Sequence, residues 1–182
     1  VGASYESYNF NNHQWALPID AATPVAASRP DLLAANGLSL PKSFEDLLAL
    51  ADKGLVAFAG IPIDVLMNFY TLCCSLGEDP CQTDDEVISP EIGIKALKMY
   101  RQLATKIDDA NFKRNPIQVY EAMTKSDDIA YCPFAYGYSN YSRNGYARKL
   151  LHFHDMISLD GKTNLRSTLG GTGLAISSKC EN

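Results

Sequence analysis

The chain has 182 residues, 46% of them hydrophobic and 20% charged, with a formal net charge of −5; this is the profile of an ordinary globular protein rather than a disordered or fibrous one. Nucleic acid is excluded as a partner, because no basic stripe is present to displace counterions and the short cluster Arg143, Arg148 and Lys149 reads as a solvated face. No run approaches the ~20 apolar residues of a membrane-spanning helix; the longest, such as Val56–Ala59 and Gly173–Ile176, are strand-sized.

In chain order, Gln14–Ile19 reads as extended, and Ala21–Ala27 is small and apolar like a buried strand. Pro30 to Gly37 has proline at a first helical position and glycine just past the end, so a short helix is expected. Ser43 caps the next helix, with Phe44, Leu47, Leu48 and Ala51 on one face and Gly54 closing it. Leu55–Ala59 is then a strand. A longer helix over Pro62–Leu76 carries Leu66, Phe69, Cys73 and Leu76 at three- or four-residue spacing, which predicts them as its core stripe.

Glu78–Asp85 is a polar loop. Ser89-Pro90 opens a helix to about Lys106 with Ile92, Ala96, Met99 and Leu103 inward, and Asn115-Pro116 opens another carrying Val119, Ala122 and Met123. Ile129–Phe134, Leu150–Phe153 and Gly173–Ser177 are the remaining strand candidates, and Tyr136–Gly145 is a loop dense in aromatic and small polar residues. Strands alternating with helices predict an α/β layered domain, a mainly parallel sheet with flanking helices, and a single domain over residues 1–182. The chain lacks an initiator Met and stops just after a strand-like run, which reads as an excised fragment; absence of a targeting segment then says nothing of compartment.

Cysteines number five, with no paired CxxC and no Cys/His metal spacing, so no zinc site and no cofactor is expected. Cys73 or Cys74 could close a small disulfide loop with Cys81 in an oxidising compartment; buried free thiols are the equal alternative. His152 and His154 alternate on a strand and share a face, as a metal pair or a catalytic base would. No third ligand is suggested, and Asp155 points to the opposite face, so solvated strand histidines are the plainer reading. The acids Asp84, Asp85 and Glu86 lack the glycine and spacing of a calcium loop. Gly170-Gly171-Thr172-Gly173 precedes a β-like run rather than a helix, which argues against a nucleotide loop. Those glycines suit a close backbone approach or a bend instead.

The aromatic loop is the strongest local signal. Phe134, Tyr136, Tyr138, Tyr141 and Tyr146 are interleaved with Gly137, Ser139, Asn140, Ser142, Arg143 and Asn144. Sugars offer apolar C–H faces and a rim of hydroxyls, so flat aromatic platforms with short polar side chains suit them without any catalytic group. Trp15, the only tryptophan, is a further platform candidate.

In this order the blocks resemble the family 1 extracellular solute-binding proteins of bacterial ABC importers. The stretch from Trp15 to Ala51, with Leu17-Pro18 ahead of Asp31-Leu32-Leu33, resembles the family's crossover; Glu121–Arg143 resembles its second-lobe contact loop, and Leu169–Ser177 its returning hinge strand. The resemblance implies one lobe, the C-terminal one, of a type II periplasmic-binding fold, with Leu17–Val25 beside Gly171–Ser177 at the hinge and the N-terminal lobe missing. By position it assigns Asp20 to a polar hinge contact, Tyr136, Tyr138 and Asn140 to ligand contact, Gly170 and Gly171 to the cleft-facing turn, and Asp64 to a helix start near the ligand. It further implies a small solute, a sugar above all, a membrane permease as partner, no chemistry, and a periplasmic or extracellular location with anchoring open. The double cysteine and the Tyr/Asn-rich loop depart from the family, so the substrate does not carry over. Two alternatives stand beside it: a small hydrolase using His152 or His154, and the same fold with a peptide, amino-acid or metal-chelate ligand.

Overall fold

A computed structural model describes residues 2–159 and 165–181. In chain order the elements are helix α1 (Ala3–Glu6), strands β1 (Asn9–Phe10), β2 (His13–Gln14), β3 (Leu17–Ala22) and β4 (Pro24–Ser28), and helices α2 (Pro30–Ala35), α3 (Phe44–Ala51), α4 (Pro62–Ser75) and α5 (Pro90–Ala104). A 3-10 turn (Asp109–Lys113), α6 (Pro116–Lys125), β5 (Tyr131–Tyr136), a second 3-10 turn (Ser139–Ser142), β6 (His152–His154) and β7 (Gly170–Leu174) complete the path. Among the described residues no helix is long and apolar enough to cross a membrane.

The chain divides into two compact units. The larger is Pro24–Thr168; the smaller joins Val1–Thr23 to Leu169–Asn182. The expected strand Ala21–Ala27 is therefore two strands, β3 and β4, which fall in different units and break at Thr23. Apolar composition alone runs straight through that break.

In the larger unit the sheet has the order β5-β4-β6. Alternation along each strand builds two cores. Ala26, Val56, Phe58, Tyr131 and Phe134 face α3, α4 and α5 through Leu47, Leu50, Leu72, Cys73, Ala96 and Leu103. Ala27, Ala57, Ala59, Cys132 and Ala135 face α6 through Val119, Tyr120 and Met123. Helices on both sides of a sheet give the expected α/β layering. The expectation of a mainly parallel sheet is corrected: β4 pairs antiparallel with both β5 and β6, and the described parallel link is a lone bridge from Val56 to Tyr131. Residues 55–59 are buried almost as expected but make only that bridge. A helical connection can return the chain in either direction, so alternation of elements does not set strand polarity.

The caps read from sequence form. Ser43 accepts from the Asp46 amide, and Asp46 reaches back to the Ser43 amide; Asn115 and Gln118 do the same for α6. One stripe is corrected. On α4 the buried positions are Asp64, Asn68, Thr71, Leu72, Cys73 and Cys74, while Leu66 is exposed and Phe69 only half-buried. Asn68 is tolerated inside because it finds partners: its amide donates to the Ala59 carbonyl at 2.8 Å and to the Tyr100 hydroxyl at 3.2 Å.

In the smaller unit β3 and β7 form an antiparallel ribbon, with Leu17 opposite Leu174 and Ala22 opposite Gly170. Of the segments expected to be neighbours, Leu17–Val25 and Gly171–Ser177, the parts within β3 and β7 run side by side, whereas Pro24 and Val25 pair with β5. Leu17, Ile19 and Leu174 remain more than half exposed on the ribbon.

Candidate functional site

In the larger unit, one end of the sheet gathers the polar and aromatic groups. Antiparallel pairing sets Pro24, the first residue of β4, opposite Tyr136, the last of β5. Beside them, residues 55–59 run into α4 through Gly60. That residue has to be glycine, because a Cβ there would lie 2.5 Å from the Asn111 carbonyl oxygen and 2.8 Å from the Cα of Phe112. Pro62 occupies the first turn of α4, and no side chain caps it.

Asp64 sits in that first turn, only 7% exposed, and its Oδ2 has no hydrogen-bond partner among the described residues. Burial raises its pKa above the ordinary carboxylate value, since nothing nearby offsets the loss of water. One turn on, Asn68 bonds Tyr100, whose phenol is pushed up to about 12 by burial. Thr71 then lies 3.4 Å from the hydroxyl of Thr168, and Ser75 donates to the Arg166 carbonyl at 3.0 Å. Asp64, Asn68, Thr71 and Ser75 thus form one polar stripe down α4. The Tyr136 hydroxyl completes it, 2.9 Å from Thr168 Oγ1.

The aromatic loop divides by role. Tyr141 is a core residue, 2% exposed, its ring 5.4 Å from Tyr120 and its hydroxyl donating to Glu121 at 2.7 Å. Tyr138 packs edge-on against Tyr120 at 6.4 Å and keeps an exposed face; Tyr146 packs edge-to-face on Tyr141, with Arg143 over its ring. Phe134 is buried against Tyr100. Asn140 is exposed, its carbonyl accepting from the Arg143 amide. Tyr136 and Tyr138, adjacent in the sequence reading, go to different neighbours: Tyr136 to Thr168, Tyr138 to the Tyr120 cluster over α6.

The other candidates lie on the smaller unit. Trp15 is 64% exposed and donates its indole N–H to the Phe10 carbonyl at 3.0 Å. Asp20 is exposed on β3 opposite Thr172. Gly170 and Gly171 open β7; Gly171 has φ +150°, and a Cβ there would lie 2.3 Å from the Asp20 carbonyl oxygen. Only glycine allows that approach.

His152 and His154 have stacked rings 6.5 Å apart, and His154 Nε2 is 2.7 Å from Ser28 Oγ. Ser28 is fully buried, so this serine presents no nucleophile to a substrate. Among the described residues no three metal-ligating side chains cluster. All five cysteines are free, and Cys73, Cys74 and Cys132 are buried. Sequence reading missed Thr71, Tyr100 and Thr168. The spacing of Asp64, Asn68, Thr71 and Ser75 carried a signal for the stripe; nothing local marks Thr168.

No protein-family model matches the chain, and no curated protein matches it in sequence. Solved structures do. Maltose-bound MalE3 of T. maritima matches with a TM-score of 0.79 at 17% identity, over 98% of this chain and 49% of that one. An ABC transporter solute-binding protein from Thermotoga lettingae TMO, bound with alpha-D-tagatose, gives 0.77 at 18%, over 98% and 49%. One from Agrobacterium radiobacter K84, in complex with ribitol, gives 0.73 at 22%, over 95% and 46%. The chain has the fold of one lobe of these periplasmic-binding-type proteins, and it spans about half their length.

Proposed function

We propose that this chain is the C-terminal lobe of the solute-binding component of an ABC importer, which takes up a sugar or polyol between itself and a second, N-terminal lobe and then docks on a membrane permease. One observation carries the reading: practically the whole chain superposes on half of proteins solved with maltose, tagatose and ribitol. The exposed apolar residues of the β3–β7 ribbon, Leu17, Ile19 and Leu174, support the second lobe, because such a face on a small ribbon is ordinarily covered. Such receptors work outside the cytoplasm, and periplasmic or extracellular location follows from the same reading.

Binding needs hydrogen-bonding groups and platforms and no reacting centre. The contacts assigned on the larger unit are Asp64, Tyr136, Tyr138 and Asn140, and on the smaller unit Trp15, Asp20, Gly170 and Gly171. Closure of the lobes about the solute is the signal for the permease.

The test is a thermal-shift and calorimetric screen of the complete protein against sugars, polyols, amino acids and short peptides, since a solute that binds only the folded state raises its melting temperature. Sugars or polyols alone should shift it, and the 182-residue chain by itself should bind the same solute weakly or not at all. A shift only with peptides or amino acids removes the carbohydrate assignment; no shift with any solute removes the binding role.

A further inference from the structure

The chain passes between the two units twice, from Thr23 to Pro24 and from Thr168 to Leu169. Tyr136 is tied to both passages. Its backbone pairs with Pro24 in the β4–β5 ladder, and its hydroxyl lies 2.9 Å from Thr168 Oγ1. Thr168 in turn reaches Thr71, which is 1% exposed on the inner stripe of α4, at 3.4 Å. Two residues upstream, Arg166 is held through its carbonyl by Ser75 and through its guanidinium by Asp79. The last residues before the second passage are therefore stitched to α4, the helix that opens with Asp64.

Resting on the solute-binding reading above, we propose that Thr168 is a positioning residue that couples solute contact at Tyr136 to the second passage between the units. A threonine hydroxyl has one proton to give and lone pairs to receive. The Tyr136–Thr168–Thr71 chain therefore has a direction, and each bond depends on the donor role of the next. A solute hydroxyl engaging the Tyr136 phenol competes for its proton or lone pair, which resets what Thr168 offers to Thr71. Thr168 and Thr71 are not among the assigned solute contacts, so the coupling is open to substitution without touching a solute-facing group.

The experiment compares Thr168→Val, Thr168→Ser and the wild type as complete proteins. Solute affinity is measured by calorimetry with the solute that binds best in the screen, closure by small-angle scattering with and without it, and folding by melting temperature. Thr168→Val should weaken binding about five- to tenfold, the scale of one lost hydrogen bond, and reduce the compaction on binding. Thr168→Ser should stay within about twofold, because it keeps the hydroxyl. Should Thr168→Val fail to fold, Thr71→Val breaks the chain at its other bond without touching Tyr136 and should reduce compaction likewise. A Thr168→Val protein that melts lower yet binds and closes as the wild type does overturns the proposal alone. A wild type that binds no solute overturns it together with the solute-binding reading.

Discussion

His154 and Ser28 meet diagonally across the β4–β6 ladder, which sets His154 opposite Ala26 and Ser28 opposite His152, with Nε2 and Oγ 2.7 Å apart. Burial first, and the neighbouring His152 second, lower the His154 pKa below its usual 6.5. The unfolded chain therefore takes up the proton before the folded one does. The stability this site contributes is complete above pH 6.5 and is lost as pH falls through the lower folded value. His154→Gln, which keeps a hydrogen-bonding group but does not titrate there, should lose less melting temperature than the wild type between pH 7.5 and 5. Equal losses would show that another group governs the acid limb.

Arg29 is wholly buried and divides its guanidinium among Asp31, Asp127 and the carbonyls of Met123 and Ser126. It joins β4, the start of α2 and the end of α6. Lysine brings the charge but not the planar fork, so Arg29→Lys should cost about 3 kcal/mol in urea unfolding. The hydrogen bond from Arg29 holds Asp31 down at about 2. Its contribution is present above the unfolded value of 3.8 and drains as pH falls toward 2. The lysine variant should show a shallower decline over that window; an unchanged one would assign the acid sensitivity elsewhere.

Asp64 holds a charge in a place that disfavours it. Because burial raises its folded pKa, the cost is absent below pH 3.8 and grows as pH rises through the folded value. Asp64→Asn removes that charge at nearly the same shape. At pH 7 it should raise stability by about 1 kcal/mol while weakening solute binding in calorimetry. A variant less stable than the wild type would mean that Oδ2 has a partner in solution.

Thiol reactivity should separate the cysteines. Burial pushes the thiols of Cys73 and Cys74 up to about 11 and that of Cys132 to about 12, whereas Cys81 and Cys180 are exposed. A thiolate is the reactive form. At pH 8 two of the five cysteines should react quickly with an aromatic disulfide reagent, and the rest only after unfolding. One fast thiol or none, with the shortfall released by a reductant, would show that Cys81 is bonded.

The helices were legible because their signals are local. Ser43 and Asn115 cap where the sequence puts them, and Pro62, Pro90 and Pro116 each open a helix. The α4 stripe was not, since Leu66 and Phe69 fit an apolar period as well as any core set, while Asn68 and Thr71 are inside with Tyr100 and Thr168, far along the chain, as partners. The aromatic loop was legible as a cluster but not in its parts: nothing local separates Tyr141, locked to Glu121, from Tyr138, which keeps an open face.

The sequence by itself determined the layered α/β class and the positions of the main helices, because each depends on short-range periodicity or caps; the pairing of β3 with β7 was implied only by the resemblance to a known family. Only the tertiary structure decided that Tyr136 meets Thr168, 32 residues away, that Gly171 must admit the Asp20 carbonyl, and that the strands run antiparallel. Those contacts join distant stretches of chain, and a single hydroxyl or a missing Cβ carries no mark of its partner until the backbone brings the two together.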